Sequence, residues 1–270
     1  MEAIRNNLFN SVMLLLSALV LLLVLAPLAG MFLHTGGSEL LETVSDKEVR
    51  QSIWLTLWIS FAATFFFAFG SIPLAWILAR KQFPGKSIVQ GIIDLPVVLP
   101  HTAAGIAILG FISRDGMLGK AADAIGLTLI NNPAGIALAM AFVSIPFLIN
   151  SARDGFASVP ERLEKAALTL GASRSRVFFT ISLPLAWRSI VTGFIMMFAR
   201  GMSEFGAVVI VAYHPMIAPV LIYERFSSYG INYARPAAVL FIVIALAVFV
   251  LLRMISSRKK ELPISPDAEA

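Results

Sequence analysis

The sequence predicts an all-α polytopic membrane protein of about six transmembrane helices, with one polar helical hairpin set between two of them. Three observations carry that expectation. Of its 270 residues, 58% are apolar and only 14% charged, with a mean hydropathy of +0.85, against roughly a quarter charged in soluble domains. Apolar runs close to bilayer length recur along the chain, bounded by charged or turn-forming residues, and about twenty such residues cross a bilayer as helix. The longest polar-rich interruption, residues 158–184, reads SVPERLEKAALTLGASRSRVFFTISLP and has a helical repeat of its own.

Taken in order, residues 8–32 form the first run, behind Arg5; it is longer than the ~7–15-residue core of a cleaved leader and is read as a retained span. Residues 38–50 are polar and mostly acidic, an exterior segment. The second span, 53–79, has Trp54 and Trp58 as interface anchors and Pro73 as a kink. A third, 88–112, is interrupted by Asp94, Pro96, Pro100 and His101. Broken helix at membrane depth is tolerated only against protein or a water-filled cavity, so this segment is expected to face inward. Residues 114–132 are polar with room for a short helix, 133–149 make the fourth span, 185–212 the fifth, 213–233 a long exterior loop, and 234–255 the sixth. The chain thus reads as one transmembrane domain over 1–260 with a short tail, 261–270.

Orientation follows from the basic residues. With both termini inside, the inner segments hold fourteen Lys and Arg and the outer ones six, with Arg200 left within a span. Lys and Arg concentrate in cytoplasmic loops, so both termini and the hairpin, bounded here as 152–184, are expected in the cytoplasm. The net charge of +5 is therefore a topology signal before it is a nucleic-acid signal. Zero cysteines exclude disulfides, thiolate chemistry and cysteine metal sites.

Within the hairpin, Ser158 and Glu161 have the spacing of a capping box, with Pro160 in the first turn. Leu163, Ala166, Ala167 and Leu170 then recur at i, i+3, i+4, i+7, one apolar stripe flanked by Glu161, Arg162, Glu164 and Lys165. Gly171 is placed for a left-handed helix end, Ser173 can cap a second helix, and Pro184 should limit that helix. A surface connector, a DNA-reading helix-turn-helix using Arg174 and Arg176, and a docking knob all fit this pattern. Its place between spans removes the DNA reading, and no nucleic-acid partner is expected.

Ala166, Ala167, Gly171 four residues on, and downstream Phe178, Ile181, Leu183 and Pro184 resemble the cytoplasmic "EAA" loop of permease subunits of binding-protein-dependent ABC importers. The motif's glutamate usually precedes the alanine pair directly; here Lys165 stands there and Glu164 one place earlier. SIPLAWILAR at 71–80 and FPGKS at 83–87 also look like that family's second span and following loop. The resemblance implies a type I importer fold in which Leu163, Glu164, Ala166, Ala167, Leu170 and Gly171 couple to an ATPase. A short helix with small apolar residues suits seating in a groove.

Gly85, Lys86 and Ser87 look like the tail of a phosphate loop, but Arg80 stands where its first glycine belongs. The chain is therefore read as no enzyme and as binding no cofactor, with ATP and Mg²⁺ on the partner ATPase. His34, His101 and His214 are too scattered for a metal or a triad.

Arg200, Ser203 and Glu204 interrupt the fifth run, and charges at depth cost at least about 2.5 kcal/mol each, so they should face a cavity or each other. A structural Arg200–Glu204 pair at i, i+4 and a pathway lining that attracts an anion both account for them. Asp94 and His101 are further pathway candidates. LPVVLPHT (95–102), RDGMLG (114–119), SEFGA (203–207) and LIYE (221–224) resemble molybdate and tungstate permeases, with sulfate permeases next. That implies a homodimer in the cytoplasmic (inner) membrane, two ATPases, an extracytoplasmic oxyanion-binding protein and transport by alternating access. A sulfate or thiosulfate permease is the first alternative. An ion-coupled secondary transporter relying on Asp94 and Glu204 is the second. No cluster suited to intramembrane catalysis is present.

Overall fold

The computed structural model describes residues 2–257, with side chains from Phe9 to Met254. The first helix is α1 (Glu2–Leu33); its stretch Phe9–Leu33 is strongly apolar and lies outside the core, as befits a lipid-facing span. A short α2 (Gly37–Ser45) leads through Asp46 into α3 (Lys47–Arg80), which starts earlier than the apolar run because the polar residues 47–52 are already helical. Next come α4 (Lys86–Val98) and α5 (His101–Ile112), bent by 113° from each other. Pro100 causes the break: it has no N–H to donate and holds Leu99 extended. After α6 (Met117–Asp123) the chain enters α7 (Pro133–Ser158), started by the Asn132 side chain, which accepts from the Ala134 N–H.

The hairpin contains α8 (Glu161–Thr169) and α9 (Arg174–Val177), then a π turn (Phe178–Ser182) opening into α10 (Leu183–Met202). Beyond lie α11 (Gly206–Val211), α12 (Ala218–Tyr229) and α13 (Ile231–Ser257). Among the described residues there is no strand, and five helices are long and apolar enough to cross a bilayer; the bent α4–α5 pair makes a sixth crossing if counted as one broken span. The expected tail, 261–270, lies outside the described residues.

Four expectations are corrected. The fourth span runs nine residues past 149, because Ser158 is the last residue of α7 and its hydroxyl donates to the Gly155 carbonyl; the Ser158–Glu161 capping box is therefore absent. Pro184 does not end the second hairpin helix: the Leu183 N–H reaches Phe178 O, five residues back, and the widened turn carries the helix across the proline. The fifth span stops at Met202 instead of continuing to 212. The loop at 213–233 is largely helical, in α12.

At the centre, α7 packs against α3 and α10, with Ile136, Met140, Val143, Leu148, Ala152 and Phe156 fully or almost fully buried. Hydroxyls join the helices at depth: Ser60 Oγ donates to Phe198 O and Ser151 Oγ to Ser189 O, both at 2.7 Å. Small polar residues of this kind hold helices together where lipid supplies no hydrophobic drive. At the end of the molecule formed by α2, α6 and α12, Thr56 Oγ1 accepts from the Ala218 N–H at 2.8 Å. There Asp46 caps α3, accepting from the Glu48 and Val49 N–H groups, and pairs with Arg225 at 2.6 Å. Burial raises the Asp46 pKa, but Arg225 and those two N–H groups together hold it below the usual carboxylate value of 3.8.

Because its folded pKa is depressed, the Asp46 charge contributes stability that is present above about pH 4 and lost as pH falls further. Asp46→Asn keeps a capping oxygen and loses the charge, so it should lower stability at pH 7 by about 0.5–1 kcal/mol, whereas Asp46→Ala loses roughly 1 kcal/mol more with the cap. Melting of the solubilised protein checks this; a wild-type to Asn difference that does not shrink at all as pH is lowered progressively below 3.8 would exclude the charge as its origin.

Candidate functional site

Two charged clusters stand out, one at the hairpin and one midway along the bundle. In the hairpin, Gly171 adopts φ +87°, the left-handed end expected of it, and Ser173 Oγ accepts from the Arg176 N–H at 3.3 Å to begin α9. The stripe on α8 faces outward: Leu163 and Ala166 are exposed, Ala167 is half-buried, and Leu170 is 88% exposed. An amphipathic helix that leaves its apolar residues uncovered is unpartnered within this chain.

Glu164 faces the other way. Its side chain is only 11% exposed and takes a forked pair of bonds from Arg80, with Nε at 2.9 and 3.0 Å and the second guanidinium nitrogen at 2.9 Å. Ser182 Oγ, in the π turn, donates to the same carboxylate at 2.6 Å, and Arg80 also donates to Val159 O. One carboxylate thus joins the end of α3, the hairpin helix α8 and the start of the fifth span. The sequence reading expected Glu164 on the outer, charged flank; it is an internal tie. No local spacing links 80, 164 and 182, so the sequence alone does not mark Arg80 or Ser182 as its partner. Outside the membrane span, the Glu161 pKa is lowered by the hydrogen bond and charge of Lys165, an exposed i, i+4 pair on the solvent side.

The second cluster sits where three helices end. Met202 closes α10, Gly206 opens α11, and His101 opens α5. Gly206 lies so close to α5 that a Cβ on it would be 2.6 Å from His101 Cβ. Phe198 bonds to Ser60, and Gly201 abuts Ser60 and Ser144, residues near the middle of α3 and α7, so the junction lies at mid-depth. Glu204, 1% exposed, pairs with Arg200 at 2.8 Å and with His101 Nδ1 at 3.3 Å, and its other oxygen accepts from the Ala207 N–H at 2.9 Å. That bond satisfies an N–H in the first turn of α11, just past the break in the fifth span. Ser203 Oγ lies 3.5 Å from Arg200 and donates to the Arg200 carbonyl.

One Arg200 guanidinium nitrogen is 3.1 Å from His101 Nδ1 and 3.0 Å from Nε2. The in-plane directions of those two ring nitrogens diverge, so an atom this near both lies over the ring face. Arg200, Ser203, Glu204 and His101, drawn from two separate sequence segments, are therefore one cluster. Asp94 is apart from it, accepting from Asn150 Nδ2 at 2.6 Å beside a cavity of about 680 Å³ that Asp154 and Ser189 also line.

The description of the family model that matches residues 71–260 is "binding-protein-dependent transport system inner membrane component". The chain belongs to this family. It is 43% identical, over 86% of its length and 90% of the relative, to the molybdate/tungstate transport system permease protein WtpB of Thermococcus kodakarensis. It is 35% identical over 73% of its length to a probable sulfate transport system permease protein of Chlorokybus atmophyticus, covering 70% of that relative. Among solved structures, a chain of a bacterial ABC transporter that imports alginate superposes with a TM-score of 0.76 at 18% identity, covering 96% of this chain and 99% of that one; the likeness shows the fold. The permease is thus a multi-pass inner-membrane component, with the helical fold its sequence predicts.

For the permease's hairpin tie, removing one partner leaves a charge with little solvent. Arg80→Gln or Glu164→Gln should each destabilise by about 3–5 kcal/mol, and the double variant by less than the sum of the two. A double-mutant cycle by thermal or denaturant unfolding in detergent reads the coupling; strict additivity would show that the two groups act independently.

Proposed function

We propose that this permease forms the translocation path of an ATP-driven importer for a tetrahedral oxyanion, molybdate or tungstate, working as a pair of copies by alternating access. The observation that carries the reading is the 43% identity, over nearly the whole of both chains, with a molybdate/tungstate permease. The sulfate relative is more distant in identity and coverage. Family membership supports two ATPases on the cytoplasmic side and an external binding protein on the opposite end, and favours this reading over an ion-coupled transporter. ATP and Mg²⁺ belong to the ATPases; the permease performs no chemical step.

The hairpin suits the docking role for a physical reason. Its exposed stripe offers Leu163, Ala166, Ala167 and Leu170 to a groove, while Glu164 and Arg80 fasten the opposite side to α3. Closure of the ATPases would then move α8, α3 and α10 together, a rigid-body switch. The excess of Lys and Arg on this side supports placing it, with both termini, in the cytoplasm.

The test is ATP hydrolysis and uptake in liposomes that hold the permease, its ATPase and its binding protein, with molybdate, tungstate, sulfate and phosphate compared. Stimulation by molybdate or tungstate is expected; stimulation by sulfate alone would move the assignment to that oxyanion, and uptake without ATP would end the importer reading. In the same assay Ala167→Glu puts a charge on the docking stripe. Gly171→Val forces a β-branched residue to φ +87°, at a cost of roughly 1–2 kcal/mol. Both should abolish stimulation of the ATPase while the spans stay folded, and normal coupling in both would remove the hairpin from the contact.

A further inference from the structure

The charged junction at mid-depth is built differently from an inert ion pair. Glu204 is sealed at 1% exposure, but the two groups on it are open: the Arg200 side chain is 24% exposed and the His101 side chain 44%. Both lie where the backbone of two spans is interrupted, between α4 and α5 and between α10 and α11. An open guanidinium and broken backbone cannot face hydrocarbon, because neither finds a hydrogen-bond partner there. Their open side therefore faces a polar path or a second copy of the chain, not lipid.

The geometry also fixes which donors remain free. Contact of a single guanidinium nitrogen with the His101 ring leaves the rest of the guanidinium edge for bonding. Glu204 Oε2 takes one of those edge nitrogens, and Ser203 Oγ, at 3.5 Å, sits near another. A carboxylate oxygen on a guanidinium edge has the charge and spacing of an oxyanion oxygen on the same edge. Unlike a mobile anion, Glu204 is anchored, by the Ala207 N–H and by its place in the chain.

We propose that Arg200, with His101 and Ser203 beside it, is a weak seat for a tetrahedral oxyanion at the membrane midplane, in which the Glu204 carboxylate is the resident competitor. The inference rests on the reading of the chain as an oxyanion permease. An arriving dianion exchanges with Glu204 at the guanidinium edge, so Arg200 keeps a counter-charge throughout, and the displaced Glu204 carboxylate keeps His101 and the Ala207 N–H as partners. When the anion departs, Glu204 returns. A transport seat must bind well enough to admit its ion and weakly enough to release it, and the competing carboxylate sets that balance.

The two charges of a purely structural pair would be equivalent; here they have opposite effects on the ligand. In nanodiscs holding the permease and its ATPase, without the binding protein, binding of radiolabelled molybdate by equilibrium dialysis separates the cases. Glu204→Gln should bind about tenfold tighter than wild type, and Arg200→Gln about tenfold weaker or not at all. Uptake by the full complex should slow in both, through delayed release in the first and lost seating in the second. Shifts in the same direction, or no change in either, would overturn the seat. Because a single charge left at depth could prevent assembly, Arg200→Gln/Glu204→Gln together provides the control: assembled, it should bind no molybdate, and wild-type binding by it would equally overturn the proposal. Absence of oxyanion-stimulated uptake by the wild-type complex would remove the functional reading itself, whereas normal wild-type uptake with equal shifts would remove only the seat.

Discussion

A bilayer offers no hydrogen bonds, so every interruption of a helix and every charge at depth must be satisfied by the chain itself. Most of the architecture follows from that constraint. The interruptions at Pro100 and at Ser203 occur side by side, and the charges Arg200 and Glu204 lie at the same place, so one junction satisfies the loose ends of several helices. Elsewhere the spans are kept together by hydroxyls donating across helix seams, as Ser60 and Ser151 do. The large apolar side chains that remain outward on α1, α3 and α13 face the solvent for which they are suited.

The two ends of the bundle are secured by different means. One end uses Asp46, which caps a helix and holds Arg225 from α12. The other uses Glu164, held by Arg80 and Ser182 against a helix whose opposite face is left uncovered. The first arrangement closes a surface, and the second presents one. A partner bound to α8 therefore acts on a unit already fastened to two spans.

Hydropathy made the spans legible, since a run such as 234–255 is apolar whatever it packs against. Local stereochemistry made Gly171 and Ser173 legible for the same reason: a left-handed helix end and an N-cap are decided within three or four residues. What the sequence concealed was decided at longer range. Ser158 followed by Glu161 has the right spacing for a cap, yet packing of Phe156 in the core keeps α7 helical through Ser158. Glu164 looks like a solvent-facing charge until Arg80, 84 residues away, is placed against it. The Arg200–Glu204 pair could be read from its i, i+4 spacing, but its third member, His101, is 99 residues from Arg200 and becomes a neighbour only when α5 folds onto α11. The site was legible as residues; its grouping was a property of the fold.

The π turn at Phe178–Ser182 sets an angular phase. It contains one more residue than an α turn would need, and each residue of α-helix advances the face by about 100°. The hairpin and α10 are consequently two sections of one crankshaft with a built-in offset: the direction in which α8 points is dictated by the number of residues between Val177 and Leu183. A single-residue deletion there would leave every span apolar, yet rotate the hairpin by roughly a quarter turn relative to the bundle. Chain length across this short stretch is thus a coordinate of the machine, as restrictive as the identity of any side chain in it.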